Sequence, residues 1–259
     1  MKHSLTYSEL ADFLDEKVDL YNCEAFIESD PIQIPKQFDD PRDIEIAGFM
    51  AATIAWGQRR TIIANMNKLL EWMGNTPYDF LLNADDDDLY VFSNFKHRTF
   101  NGEDCIYFLK SLQNLYRNYG GLGRVFQDAY MKHGAVPESL KEFRKLFFKL
   151  PHSRRTQKHV ADISKGSAAK RLNMFLRWMV RNDKRGIDFG LWNQIDSKDL
   201  YIPLDIHSGT VARKLGLLKR KQNDWHAVEE LTTALRKFDP DDPVKYDFAL
   251  FGLGVFEKF

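Results

Sequence analysis

A chain of 259 residues is long enough to bury a large core, as one big domain or as two lobes that share an interface. Its 44% hydrophobic and 29% charged content is that of an ordinary globular protein, and with neither a signal peptide nor a run of about 18 apolar residues, a water-soluble cytoplasmic protein with no membrane partner is expected. Cys23 and Cys105 stand in no paired spacing, which excludes a disulfide framework and any zinc or iron–sulfur site built from cysteine alone; no cofactor is expected.

The formal net charge of zero conceals a segregation along the chain. Residues 1–140 hold 13 lysines and arginines against 22 acids, residues 141–185 hold 14 against 3, and residues 186–259 hold 10 against 12. A net charge of +11 within 45 residues is the electrostatic footprint of a phosphate-binding face, because a local field acts even where the total vanishes. The plainer alternative is a pair of solvated basic helices.

In chain order the signals are helical, with no alternating pattern longer than four or five residues. Thr6-Tyr7-Ser8-Glu9 opens an amphipathic helix to about Tyr21, with Leu10, Phe13, Leu14 and Val18 on one face. Pro31, Pro35 and Pro41 predict an extended connection, followed by a largely buried helix from Asp43 to about Trp56. Gly57 interrupts, and Arg60–Met73 follows with Ile63, Met66, Leu69, Leu70 and Met73 inward. Asp85–Asp88 suits a loop or helix start, where carboxylates complement the helix dipole. Gly102–Tyr116 and Leu122–Lys132 read as helices separated by Gly120-Gly121, and Ser139–Leu150 as another ended by Pro151. Ser167–Arg181 is the most strongly patterned, with Leu172, Phe175, Leu176 and Met179 on one face. Asp205 or Ser208 caps a helix to about Leu215, Asp224 caps one to about Lys237, and Val244–Gly252 is the last. No internal repeat and no long linker appear.

The segment Ile202-Pro203-Leu204-Asp205-Ile206-His207, running into a helix, resembles the aspartate-bearing segment of the helix-hairpin-helix DNA glycosylase superfamily. Ser164-Lys165-Gly166-Ser167-Ala168-Ala169-Lys170-Arg171 is similar to the hairpin whose glycine turn opens a lysine-bearing helix, although a single glycine stands here where that hairpin commonly has two. Ala52–Gln58 and Asn67–Leu70 are similar to the superfamily's early helix pair. Lys170 and Asp205 stand 35 positions apart, and this spacing with the Lys170-to-Phe175 helix resembles the archaeal 8-oxoguanine glycosylase branch. The cysteine cluster of the endonuclease III branch is absent. From Gly166 to Met179 the chain also resembles an uncharacterised bacterial family of conserved proteins (DUF2400-like).

The resemblance implies an all-α, two-lobed glycosylase-like fold, one lobe from about 45 to 200 and the other from 1–44 plus 201–259. It implies excision of an oxidised or otherwise damaged base, 8-oxoguanine-like, from double-stranded DNA, with strand incision through a lysine Schiff base. Asp205 would stabilise positive charge on the sugar and Lys170, once deprotonated, would attack C1′. The DNA-facing set expected is Gln58, Arg154, Arg155, Lys158, Lys165, Gly166, Ser167, Arg171, Arg177, His207 and Arg213. Trp56, Trp178 and Trp192 are available to hold an everted base. Asp205-x-His207 lacks a second ligand cluster, so no metal is expected, and no obligatory protein partner is inferred; nucleoid association would follow from DNA binding. The rival readings are a DNA- or RNA-binding protein that keeps the fold without the chemistry.

Overall fold

The computed structural model describes residues 6–259, so the first five residues assigned to the terminal lobe lie outside the described residues. Helix α1 (Tyr7–Tyr21) starts as its sequence demands: the Thr6 hydroxyl accepts from the Glu9 N–H while the Glu9 carboxylate accepts from the Thr6 N–H. The proline-rich stretch is not extended. Pro31–Gln33 and Pro35–Gln37 are single 3₁₀ turns with proline first, where a missing N–H costs no hydrogen bond.

Pro41 is the first residue of α2 (Pro41–Thr53), whose residues 46 to 53 are all buried. Helix α3 (Arg59–Trp72) turns Ile62, Met66, Leu69 and Leu70 inward, with Ile62 rather than Ile63 on the buried face. A short helix not anticipated from the sequence, α4 (Pro77–Asn83), follows, then α5 (Asp86–Tyr90) with Asp85 and Asp88 forming its capping box. Lys96–His97 and Phe100–Asn101 form a small antiparallel ribbon. Its end feeds α6 (Gly102–Tyr119), α7 (Leu122–His133) and α8 (Val136–Phe147). Gly102 is obligatory there, since a Cβ would lie 2.0 Å from the Ser93 carbonyl oxygen.

Helix α9 (Lys170–Val180) runs through the interior, and every residue from Leu172 to Val180 is buried. It packs on α2, where Gly48 allows close approach: a Cβ at that position would stand 3.2 Å from Met179 and 3.4 Å from Phe175. Helices α10 (Ile206–Lys214), α11 (Trp225–Leu235) and α12 (Tyr246–Val255) complete the chain. Both α1 and α10 pack on α12, bringing the two ends of the sequence together, while α7 packs on α8. Among the described residues the fold is therefore all-helical apart from the ribbon and a single bridge between Ser167 and Asp224. No helix among the described residues is long and apolar enough to cross a membrane.

Two basic residues, Arg177 on α9 and Arg181 at its C-cap, belong to this core. Arg177, 2% exposed, meets Asp188 at 3.3 Å and donates to Asp247, and Arg181 reaches Asp188 at 3.0 Å and Asp242 at 2.8 Å. Buried guanidiniums require such partners, because a charge left unpaired away from water costs several kcal/mol. Trp178 and Trp192 are likewise interior, at 0% and 1% exposure, and cannot flank a base.

Candidate active site

The polypeptide enters α9 through a strained turn. Asp162 accepts from the Ser164 N–H, Gly166 adopts a left-handed φ of 83°, and its carbonyl accepts from the Trp225 N–H at 3.0 Å, tying the turn to α11. Ala169 then takes a left-handed φ of 49°, which costs about 1–2 kcal/mol for a residue with a Cβ. Next comes Lys170, the first residue of α9, so its side chain springs from the helix end instead of packing along it.

Asp205 is the N-cap of α10. Its Oδ1 accepts from the Ser208 N–H at 2.9 Å, and its own N–H donates to Ser208 Oγ at 2.9 Å. The Asp205 carbonyl accepts from Asn223 Nδ2 at 2.8 Å, and Asn223 Oδ1 in turn accepts from Arg213 at 2.6 Å. Arg213 is thus a strut behind the aspartate. Across from it, Lys170 Nζ lies 3.8 Å from Asp205 Oδ2, with the two side chains 30% and 22% exposed.

Lysine and aspartate share a cleft of about 720 Å³, room enough for a nucleoside. Trp56, Met174 and Phe251 supply apolar wall, and Gly57, Ile206 and His207 also line it. Arg171 lines it too: it donates to the Thr53 carbonyl, lies 4.8 Å from the Trp56 ring centroid, and is lowered to about 10 by burial in apolar surroundings. His159 stacks near Trp56 at 5.9 Å, and His97 meets its ring edge-on at 5.0 Å, so the indole is wedged among three side chains. A cavity of about 130 Å³ adjoins the start of α9, lined by Lys158, His159, Ser167, Lys170 and Arg171. Burial pushes the His159 imidazole down to about 4, leaving it neutral at pH 7 despite the Asp104 carboxylate 3.2 Å away.

The remaining expected DNA-facing residues scatter in role. Arg154 and Lys158 are exposed, as is Lys165, which stands 3.6 Å from Asp162. Gly166 is exposed and Ser167 partly so. Gln58 is exposed at the start of α3, outside the cleft lining but between Gly57 and Arg59, which belong to it. Arg155 is pinned instead: it donates to Asp104 at 2.7 Å, Asn101 at 2.8 Å and the Thr99 carbonyl at 2.9 Å. Arg177 is corrected outright, being buried in the ion network where no phosphate can reach it.

Sequence reasoning missed Asp30 and Arg59, which face the same cleft 3.8 Å apart. An Asp-Pro pair in a connection carries no local signal of burial, so nothing in the sequence pattern singles Asp30 out. Among the described residues no cluster of three or more His, Cys, Asp or Glu is arranged to hold a metal ion. No curated protein and no solved structure matches the chain. Residues 30–256 match the family described as Protein of unknown function (DUF2400), and the chain belongs to that family.

Proposed function

We propose that this protein is a DNA glycosylase with a lyase step, excising an oxidised or otherwise damaged purine from duplex DNA. The observation that carries the reading is the 3.8 Å approach of Lys170 to Asp205 within one open cleft, although 35 positions separate them. Neither residue is needed there for burial, since both side chains remain partly exposed. The division into lobes at about 45 and 200 belongs to the same proposal, with the base held between them.

In the proposed reaction Lys170 first loses its ammonium proton to solvent in the partly exposed cleft, which leaves the Asp205 carboxylate charged 3.8 Å away. The amine lone pair then bonds to C1′ as the N-glycosidic bond breaks, its electrons leaving with the base, which takes up a proton. Asp205 stabilises the cationic sugar as that bond lengthens. The resulting aminal nitrogen expels O4′, which is protonated, to leave a Schiff base, and loss of a C2′ proton then breaks the 3′ C–O bond. Arg154, exposed, and Lys158, exposed and lining the small cavity at the start of α9, are the proposed phosphate contacts. Borohydride trapping on a panel of damaged duplexes tests the reading, because only a Schiff base becomes covalently fixed. A protein that binds duplex but gives no adduct and releases no base overturns it.

A further inference from the structure

Asp30 is a buried carboxylate, 7% exposed, in the wall of the cleft that holds Lys170 and Asp205. Its Oδ1 accepts from the Ile32 N–H at 3.1 Å, which caps the Pro31–Gln33 turn and fixes the direction of the carboxylate. Its Oδ2 has a cation nearby, Arg59 Nη2, at 3.8 Å, a distance beyond a hydrogen bond. An ionised carboxylate offers about four lone-pair sites, so Asp30 can accept further N–H donors from whatever fills the cleft. Burial pushes its carboxyl up, because the cleft wall keeps most solvent from it.

What would satisfy it follows from the surroundings. Lys170, Arg59 and Arg171 outnumber Asp30 and Asp205 along the same space, so a further cation is disfavoured, whereas a neutral planar ring bearing N–H groups is not. We infer that Asp30 is a specificity-determining residue that accepts two adjacent N–H donors from the ligand, the N1–H and 2-amino edge of a guanine ring. Adenine and cytosine present a donor beside a bare ring nitrogen, thymine and hypoxanthine a single N–H. Among these bases only guanine presents two neighbouring donors that match the two oxygens of one carboxylate, and 8-oxidation leaves that edge in place. The inference deepens the glycosylase reading and rests on it for the nature of the ligand, yet its chemistry can be read without any excision.

Titration of the full-length protein with deoxyguanosine, deoxyinosine and deoxyadenosine, followed by NMR, tests it. Deoxyguanosine is expected to bind about tenfold or more tighter than the other two, the penalty for a missing partner at a buried polar group. Asp30→Asn keeps an oxygen for the Ile32 N–H but replaces one acceptor by a donor, and should erase that preference or turn it toward deoxyadenosine. The wild-type nucleoside series keeps the test valid even if the variant folds poorly. Equal affinities for the three nucleosides, no nucleoside binding, or an unchanged preference in a folded Asp30→Asn protein overturns the assignment. Guanine preference that depends on Asp30 in a protein releasing no base from any lesion would overturn the glycosylase reading instead.

Discussion

Asp205 serves two neighbours at once: one carboxylate oxygen caps α10 through the Ser208 N–H at 2.9 Å while the other stands 3.8 Å from Lys170 Nζ. The cap and the pair are separable by substitution. Asparagine caps a helix about as well as aspartate, so Asp205→Asn should unfold within about 0.5 kcal/mol of wild type, and Asp205→Ala should lose about 1 kcal/mol more. Base excision should fall by orders of magnitude in both, since neither retains a charge beside the sugar. Urea midpoints and single-turnover excision rates measured side by side check this; an active Asp205→Asn would reduce Asp205 to a cap.

In the proposed reaction Lys170 has a different duty. Lys170→Gln should abolish the borohydride-trapped adduct while duplex affinity stays within a few-fold, because one cation among several contributes little to total binding. Persistent trapping in this variant would assign the nucleophile to another amine.

Salt dependence separates the basic residues that face solvent from those that do not. Arg154→Gln and Lys158→Gln together should flatten the slope of log K for duplex against log salt, as fewer condensed counterions are released. Arg155→Gln should act mainly on stability, by about 1–2 kcal/mol, because it leaves Asp104, 0% exposed, without its guanidinium donor. A slope that responds to Arg155 and ignores the other two would move the DNA face toward the ribbon.

Asp247 makes one pH-dependent contribution to stability, which its own variant isolates. Burial raises its carboxyl to about 6 in the folded protein even with Arg177 beside it, against about 3.9 in an unfolded chain. Between about pH 4 and 6 the folded state therefore binds the extra proton, and this group's contribution to stability declines as pH rises through that window. Relative to Asp247→Asn, wild type should lose stability from pH 4 to 6 and hold level above it. Denaturant midpoints across pH 4–7 decide it, and parallel profiles would show that Asp247 titrates normally.

The helices and their starts were legible in the sequence because their causes are local. The Thr6–Glu9 box and the Asp205 and Asp224 caps each depend on residues within three positions of one another, and α1, α10 and α11 begin where those signals stand. Helix α4 was missed because Pro77 reads equally well as a turn, and of the five residues placed inward on α3 only Ile63 was off, its neighbour Ile62, about 100° around the axis, being the buried one while Met66, Leu69, Leu70 and Met73 were as expected.

The charge of residues 141–185 is a sum that sequence supplies without its partners. Asp104, Asp188, Asp242 and Asp247 lie outside that stretch and neutralise Arg155, Arg177 and Arg181, so these three of its fourteen cations are tied up in ion pairs, two of them buried. Asp30 was silent for the same reason: what makes it remarkable to a ligand is the wall it stands in, built with Lys170, Asp205 and Phe251 from the far end of the chain. The sequence by itself determined an all-helical protein with a lysine and an aspartate at two helix starts, since capping and periodicity act over one or two turns. Only the tertiary structure decided that those two starts meet, which cations stay in water and which carboxylate lines the cleft, because burial and charge pairing depend on residues tens of positions apart.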